Sequence, residues 1–111
     1  MKSYATNWTK NEFLTYLFIY CMNADFKEAT KEIAYIKAKT SNDDFDNMHA
    51  EFQGDSDYAS LQKIYDTHTR LGFTTGITEE LFNNIKELFL SDGKFFTEEQ
   101  NILRGLKHLL K

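Results

Sequence analysis

The sequence contains no proline, only five glycines and a single cysteine among its 111 residues. Proline and glycine interrupt helices more strongly than other residues, so their scarcity favours helices that are joined by short turns. One cysteine, Cys21, excludes an internal disulfide framework and fits a reducing compartment. We interpret Cys21 as a small core side chain.

Basic residues are few and include only two arginines, Arg70 and Arg104, in a chain with a formal net charge of −4. The lysines are interspersed with acidic residues, whereas nucleic-acid recognition requires a clustered basic face. The acidic balance suits a protein partner better than a nucleic acid. We therefore expect the chain to contact a protein.

Long apolar runs are also missing. The most continuous run, FLTYLFIYCM at 13–22, is much shorter than the ~20 helical residues that cross a bilayer. The opening residues, MKSYATNWTK, show no apolar signal core. We expect a buried core helix at 13–22, no membrane span and a cytoplasmic location.

What the chain does have is enough apolar material for a core, with 41% hydrophobic and 15% aromatic residues. This composition indicates a folded protein, and the length fits one domain over residues 1–111. No window alternates with a period of two, so we predict no strands. The sequence thus predicts an all-α fold, a compact bundle of about six helices.

The first helix has clear boundary signals. Thr9 and Glu12 form a T-x-x-E capping box, Trp8 and Phe13 stand where a hydrophobic staple forms, and the helix should run to about Asn23. The other helices are predicted over about 28–39, from the TSNDD cap (40–44) to a C′ glycine at Gly54, from Ser56 or Asp57 to Gly72, from Thr78 to Ser91 after a loop at 73–76, and from Thr97 onwards.

An internal repeat links the two ends of the chain. A shift of 67 positions places Asp25 on Asp92 and Glu32 on Glu99. Each copy consists of an apolar helix, an aspartate, a short turn and a second helix that carries a glutamate seven residues after the aspartate. The match at both charged positions predicts two pseudo-repeated helix–turn–helix units.

The two copies, NADFKEATKEIAYI (23–36) and SDGKFFTEEQNIL (91–103), resemble the paired acidic motifs of the TerB-like family, which is named for tellurite resistance. The first copy has Phe26 where the family usually has glycine, and Lys31 in place of the first glutamate. The resemblance implies a compact all-helical fold with a pseudo-symmetric pair of acidic turns. It also implies a metal site built from those acids, and stress-linked binding without a defined reaction.

The acids of the repeat have a plausible metal chemistry. An aspartate after the C-terminus of a helix is disfavoured by ~0.3–1 kcal/mol, and a bound cation would compensate for it. Hard divalent cations take carboxylate and carbonyl oxygens, and the last carbonyls of a helix are available. If the repeats pack about a pseudo-two-fold axis, one Ca²⁺ or Mg²⁺, in preference to Zn²⁺, is bound by Asp25, Glu32, Asp92 and Glu99.

Helix capping is the competing interpretation of the same acids. Glu28 follows Asp25 by three positions, which is a D-x-x-E capping box. Glu98 and Glu99 lie in the first turn of a predicted helix, where acids interact favourably with the helix dipole. A neighbouring lysine could also balance either aspartate. Both interpretations remain open at this point.

Other sites have weaker signals. The segments NDDFDN (42–47) and DSDYAS (55–60) lack the glycine and closing glutamate of an EF-hand loop, so we interpret them as helix caps. His49, His68 and Cys21 lack the paired spacing of zinc ligands, and His68 follows an apolar face. No nucleophile motif or glycine-rich phosphate loop is present.

The sequence therefore favours a non-enzymatic, TerB-like binding module, without catalytic residues, that binds a divalent cation and a protein partner. One alternative is a metal-free protein-interaction or immunity-like domain. Another is a metal-dependent hydrolase, which would need an open coordination position and a substrate cleft. Tellurite reduction has no visible chemistry, because it would require reactive thiols and Cys21 stands alone.

Overall fold

Six helices and no strands form the secondary structure of residues 6–23, 30–90 and 97–110, which the computed structural model describes. The all-helical prediction is confirmed for these residues. The helices are α1 (Lys10–Met22), α2 (Thr30–Lys39), α3 (Asn42–Gln53), α4 (Asp57–Leu71), α5 (Thr75–Leu90) and α6 (Thr97–Leu109).

Helix α1 begins and ends where its local signals predict. The Thr9 hydroxyl accepts a hydrogen bond from the Glu12 backbone N–H at 3.1 Å, and the Glu12 carboxylate accepts one from the Thr9 N–H at 2.9 Å. This reciprocal pair is a complete capping box. Asn23 caps the other end of the helix. Both ends of α1 were therefore encoded locally.

The same helix is the centre of the fold. Phe13 and every residue from Thr15 to Met22 are buried, and α1 contacts α2, α3, α4 and α5. A helix that is apolar all round needs neighbours on every side. The predicted core helix is confirmed, but burial extends well beyond the single apolar stripe that helical spacing indicated.

Ser41 and Ser56 cap the starts of α3 and α4. The Ser41 hydroxyl accepts from the Asp44 N–H at 3.0 Å, and the Ser56 hydroxyl accepts from the Ala59 N–H at 3.1 Å. Each serine satisfies a backbone donor that the first turn of a helix leaves without a partner. The capping interpretation of the two acidic segments is confirmed at these serines.

Two glycines end these helices in different ways. Gly72 has φ 64°, ψ 41°, and its N–H donates to the His68 carbonyl at 3.2 Å, as expected of a left-handed C-terminal residue. Gly54 instead has φ −87° and continues the right-handed turn of α3. The helix therefore ends at Gly54 as predicted, but Gly54 is its C-cap and not the C′ residue.

Helix α5 begins three residues earlier than predicted, at Thr75 rather than Thr78. The Thr74 hydroxyl accepts from the Ile77 N–H at 3.2 Å, and the Thr74 carbonyl accepts from the Thr78 N–H at 2.9 Å. Thr74 is thus the residue that caps the helix, and the second half of the predicted loop at 73–76 is helix. The first turn tolerates Gly76 because its cap offsets a weak helix former.

Aromatic rings fill much of the core. The Trp8 and Tyr16 ring centroids are 4.4 Å apart, and Phe18 meets Tyr35 edge-on at 6.0 Å. The Tyr35 hydroxyl reaches the surface and donates to the Glu87 carboxylate at 2.9 Å, which links α2 to α5. The radius of gyration, 13.0 Å, is that of a compact domain of about this size.

None of the described helices is both long and apolar enough to cross a membrane.

Candidate functional site

Two carboxylates of the predicted cation site are buried in the fold. Glu32 on α2 and Glu99 on α6 are each only 3% exposed, and each is the third residue of its helix. Ionised carboxylates are expensive to remove from water, and glutamate is almost never fully buried unless it is paired. The burial of both residues at matching positions therefore calls for compensating positive charge or hydrogen bonds.

The neighbourhood of Glu32 includes the core thiol. Burial raises the pKa of Cys21, and the negative charge of Glu32 raises it further. The thiol is consequently protonated at neutral pH, which makes it a poor nucleophile. Cys21 is buried in the core, as predicted.

The other two predicted ligands, Asp25 and Asp92, lie outside the described residues. The same holds for the alternative cap at Glu28. Within residues 6–23, 30–90 and 97–110, no group of three or more histidine, cysteine or acidic side chains has the arrangement of a metal site. Because half of the predicted set falls outside these ranges, the four-ligand site stays a prediction.

A different polar cluster lies between α1 and the turn that joins α3 to α4. The Tyr16 hydroxyl donates to the Asp55 carboxylate at 2.7 Å and lies 2.9 Å from the Ser60 hydroxyl. The Lys63 ammonium bonds the two Asp55 oxygens at 2.9 and 2.8 Å and reaches Glu51 at 3.2 Å. One carboxylate thereby ties three parts of the chain together.

The carboxylates of this cluster stabilise the charged form of Lys63. Burial by itself would lower the pKa of Lys63, but its hydrogen bonds to Asp55 and Glu51 raise the pKa above the usual value. All the groups are engaged with one another, so we assign the cluster a structural role. The sequence had no signal for it, because Tyr16 stands in an apolar run and its partner Asp55 is 39 positions away.

His68 lies at the end of α4, half-buried, as the apolar face of that helix predicted. Its Nε2 atom is 3.1 Å from the Thr78 hydroxyl, and its ring meets Phe73 edge-on with centroids 5.5 Å apart. Burial lowers the pKa of His68, so the imidazole is neutral at pH 7. Helix spacing could place His68 near the core, but it could not pair the imidazole with Thr78.

Buried tyrosines predict a loss of stability at alkaline pH. Burial, with a smaller contribution from Asp57, raises the pKa of Tyr20 from 10.0 to about 12. As the pH rises, the unfolded chain therefore loses the Tyr20 proton at a lower pH than the folded protein does. The associated stability is complete below pH 10 and is lost as pH rises through about 12.

Urea unfolding followed by far-UV circular dichroism at a series of pH values would measure this loss. Tyr20→Phe should make the free energy of unfolding less dependent on pH above 10. Tyr58→Phe, at a side chain that is 63% exposed, is the matched control. If the wild-type free energy of unfolding stays constant through this range, the inferred burial of Tyr20 is wrong.

Comparison with known proteins gives no match to any family model, to any curated protein or to any solved structure.

Proposed function

We propose that the chain is a non-enzymatic, TerB-like cytoplasmic binding module that holds one divalent cation between its two acidic turns and contacts a protein partner. The burial of Glu32 and Glu99 carries this proposal. Their helices begin at Thr30 and Thr97, so the two carboxylates occupy the same position at two helix starts. The predicted aspartates precede these helices at the same spacing in the sequence.

The dipole of each helix stabilises the glutamate near its start, whereas the removal of that carboxylate from water is unfavourable. A helix N-terminus stabilises a nearby carboxylate by typically 0.3–1 kcal/mol, up to about 2 kcal/mol in partly buried geometries. Removing an ion from water costs several kcal/mol in a real protein. The helix dipole offsets part of this cost for each glutamate, and the contacts that both residues already make within the protein offset more of it. A divalent cation that adds to their existing contacts would offset more, and it would serve both carboxylates at once.

The proposed ligands also favour particular cations. The side chains of Asp25, Glu32, Asp92 and Glu99 offer only carboxylate oxygens, which Ca²⁺ and Mg²⁺ prefer. Zn²⁺ usually takes sulfur or imidazole ligands, and the four proposed side chains include neither. We therefore expect Ca²⁺ or Mg²⁺ to bind more tightly than Zn²⁺.

Calorimetric titration of chelator-treated protein with Ca²⁺, Mg²⁺ and Zn²⁺ tests the proposal. Glu32→Gln/Glu99→Gln removes both buried charges at nearly constant volume, and Asp25→Asn/Asp92→Asn does the same in the turns. We expect saturable binding of one cation by the wild type and at least tenfold weaker binding by either double variant, which corresponds to about 1.4 kcal/mol.

The matched control is Asp46→Asn/Glu80→Gln, which neutralises two exposed acids elsewhere on the surface. It should bind the cation as the wild type does. If no cation binds at millimolar concentration, or if all variants bind it equally, the proposal is wrong. The four acids would then serve only in helix capping and in contacts within the protein.

A metal-free interaction domain is the second candidate, and two exposed tyrosines favour it. Tyr58 and Tyr65 on α4 are 63% and 45% exposed and stand two turns apart on one face of the helix. Tyrosine is enriched at protein interfaces. If a partner is found, binding that survives chelation but is lost in Tyr58→Ala/Tyr65→Ala would support this candidate over cation-dependent binding.

A further inference from the structure

A cavity of about 380 Å³ lies where the end of α4, the first turns of α5 and the last turn of α6 meet. Small-molecule sites have volumes of about 300–1,000 Å³ and mostly apolar walls. Here the walls include Phe73, Phe82 and Leu110. The space is large enough for a fused pair of aromatic rings, since an apolar cavity of about 150 Å³ already accepts benzene.

One polar pair faces this cavity among the apolar side chains. His68 and the buried Thr78 both line the space, and their Nε2 and Oγ1 atoms are 3.1 Å apart. A hydroxyl has one donor and two acceptor positions, so the Thr78 oxygen keeps bonding capacity after its bond to the imidazole. The pair can therefore accept or donate one further hydrogen bond from a molecule in the cavity.

The charges at the cavity favour an uncharged occupant. Glu79 and Lys107 also line it, both are exposed, and their formal charges cancel. The Lys107 ammonium lies 6.0 Å from the centroid of the Phe82 ring, so its charge is directed in part at that aromatic face. The neutral imidazole of His68 adds no net charge.

The geometry points to a binding site for a small neutral aromatic alcohol, with its rings against Phe73 and Phe82 and its hydroxyl on the His68–Thr78 pair. This site is separate from the acidic turns and does not depend on cation binding. Its specificity would come from the hydroxyl group, because the apolar walls accept any ring system of suitable size.

The test compares two probes, 2-naphthol and naphthalene, which differ by one hydroxyl group. Their binding to the full chain is followed by probe fluorescence and by saturation-transfer NMR. We expect the wild type to bind 2-naphthol about tenfold more tightly than naphthalene. Thr78→Val, which removes the protein hydroxyl at nearly constant shape, should abolish that preference and leave naphthalene binding unchanged.

Two further variants complete the experiment. Thr69→Val makes the same substitution at an exposed position of α4 and should keep the tenfold preference. Thr75→Trp places a large ring at the exposed edge of the cavity and should weaken both probes at least tenfold without repacking the core. Thermal unfolding of each variant confirms that it is folded.

The proposal is overturned if the wild type shows no saturable binding of 2-naphthol or binds both probes equally. It is also overturned if the preference for the hydroxyl survives in Thr78→Val. Should Thr78→Val fail to fold, Thr75→Trp decides the question, because probe binding that persists with the edge of the cavity filled must occur elsewhere.

Discussion

Replacing Phe18 with alanine is expected to lower the free energy of unfolding by about 3–5 kcal/mol. Phe18 is fully buried in α1, the central helix, and its ring meets Tyr35 of α2. The substitution removes apolar contacts and leaves a cavity that surrounding helices can fill only in part. Because domains of this size are stable by only about 5–15 kcal/mol, the loss is a large fraction of the total.

Urea and thermal unfolding, followed by circular dichroism, would measure this effect. The melting temperature of Phe18→Ala should fall on the order of 15 °C or more. Tyr58→Ala removes an aromatic ring of similar size from the surface and should change stability by only about 0.5 kcal/mol. Similar losses in the two variants would mean that α1 is not the centre of the core.

Replacing Asp55 with alanine is expected to cost about 2–3 kcal/mol, since it removes the carboxylate that both Tyr16 and Lys63 contact. The Lys63 ammonium keeps its 3.2 Å bond to Glu51, and the Tyr16 hydroxyl keeps Ser60. The cost is below that of breaking a fully buried ion pair, because water reaches part of the Lys63 side chain.

A double-mutant cycle separates the interaction between Asp55 and Tyr16 from the general effect of losing the Asp55 charge. Asp55→Ala, Tyr16→Phe and their combination should show a coupling energy of about 1 kcal/mol. Asp46→Ala, at an exposed residue of α3, is the control and should cost little. If Asp55→Ala costs no more than Asp46→Ala, the cluster does not hold α1 against the α3–α4 turn.

The helix boundaries that the sequence predicted correctly depend on contacts between residues three or four apart. The Thr9–Glu12 box starts α1, and Ser56 starts α4. Gly72 ends α4 with the left-handed backbone that glycine adopts most easily. These contacts form within one turn, so they can be read from adjacent residues without knowledge of the tertiary structure.

The two boundary errors arose where local signals compete. Thr74 and Thr78 can each cap a helix, and Gly76 between them suggested a loop. The structure starts α5 at the earlier threonine. Gly54 was expected at the C′ position, yet it is the C-cap of α3. The N–H groups of Gly54 and Asp55 donate to carbonyls in the last turn of the helix, and Gly54 keeps a right-handed backbone. Ser56 caps α4 only two residues later, and Asp55 joins the Tyr16 cluster.

For the candidate sites too, the sequence predicted some features and only the structure shows the others. Repeat spacing singled out Glu32 and Glu99, but only the packed helices show that both carboxylates are buried. The cluster around Asp55 and the cavity beside His68 had no precursor in the sequence pattern. Each brings together residues from different helices. The spacing of residues along one helix does not show which residues of another helix they will contact.

By itself, the sequence determined the all-helical class, most helix ends and the apolar helix at the centre, because propensity, capping and periodicity act over one or two turns. The tertiary structure decided which polar groups left water and which of them meet. That outcome depends on the packing of whole helices, since burial energies arise from surfaces that are far apart in the chain and come together only in the folded state.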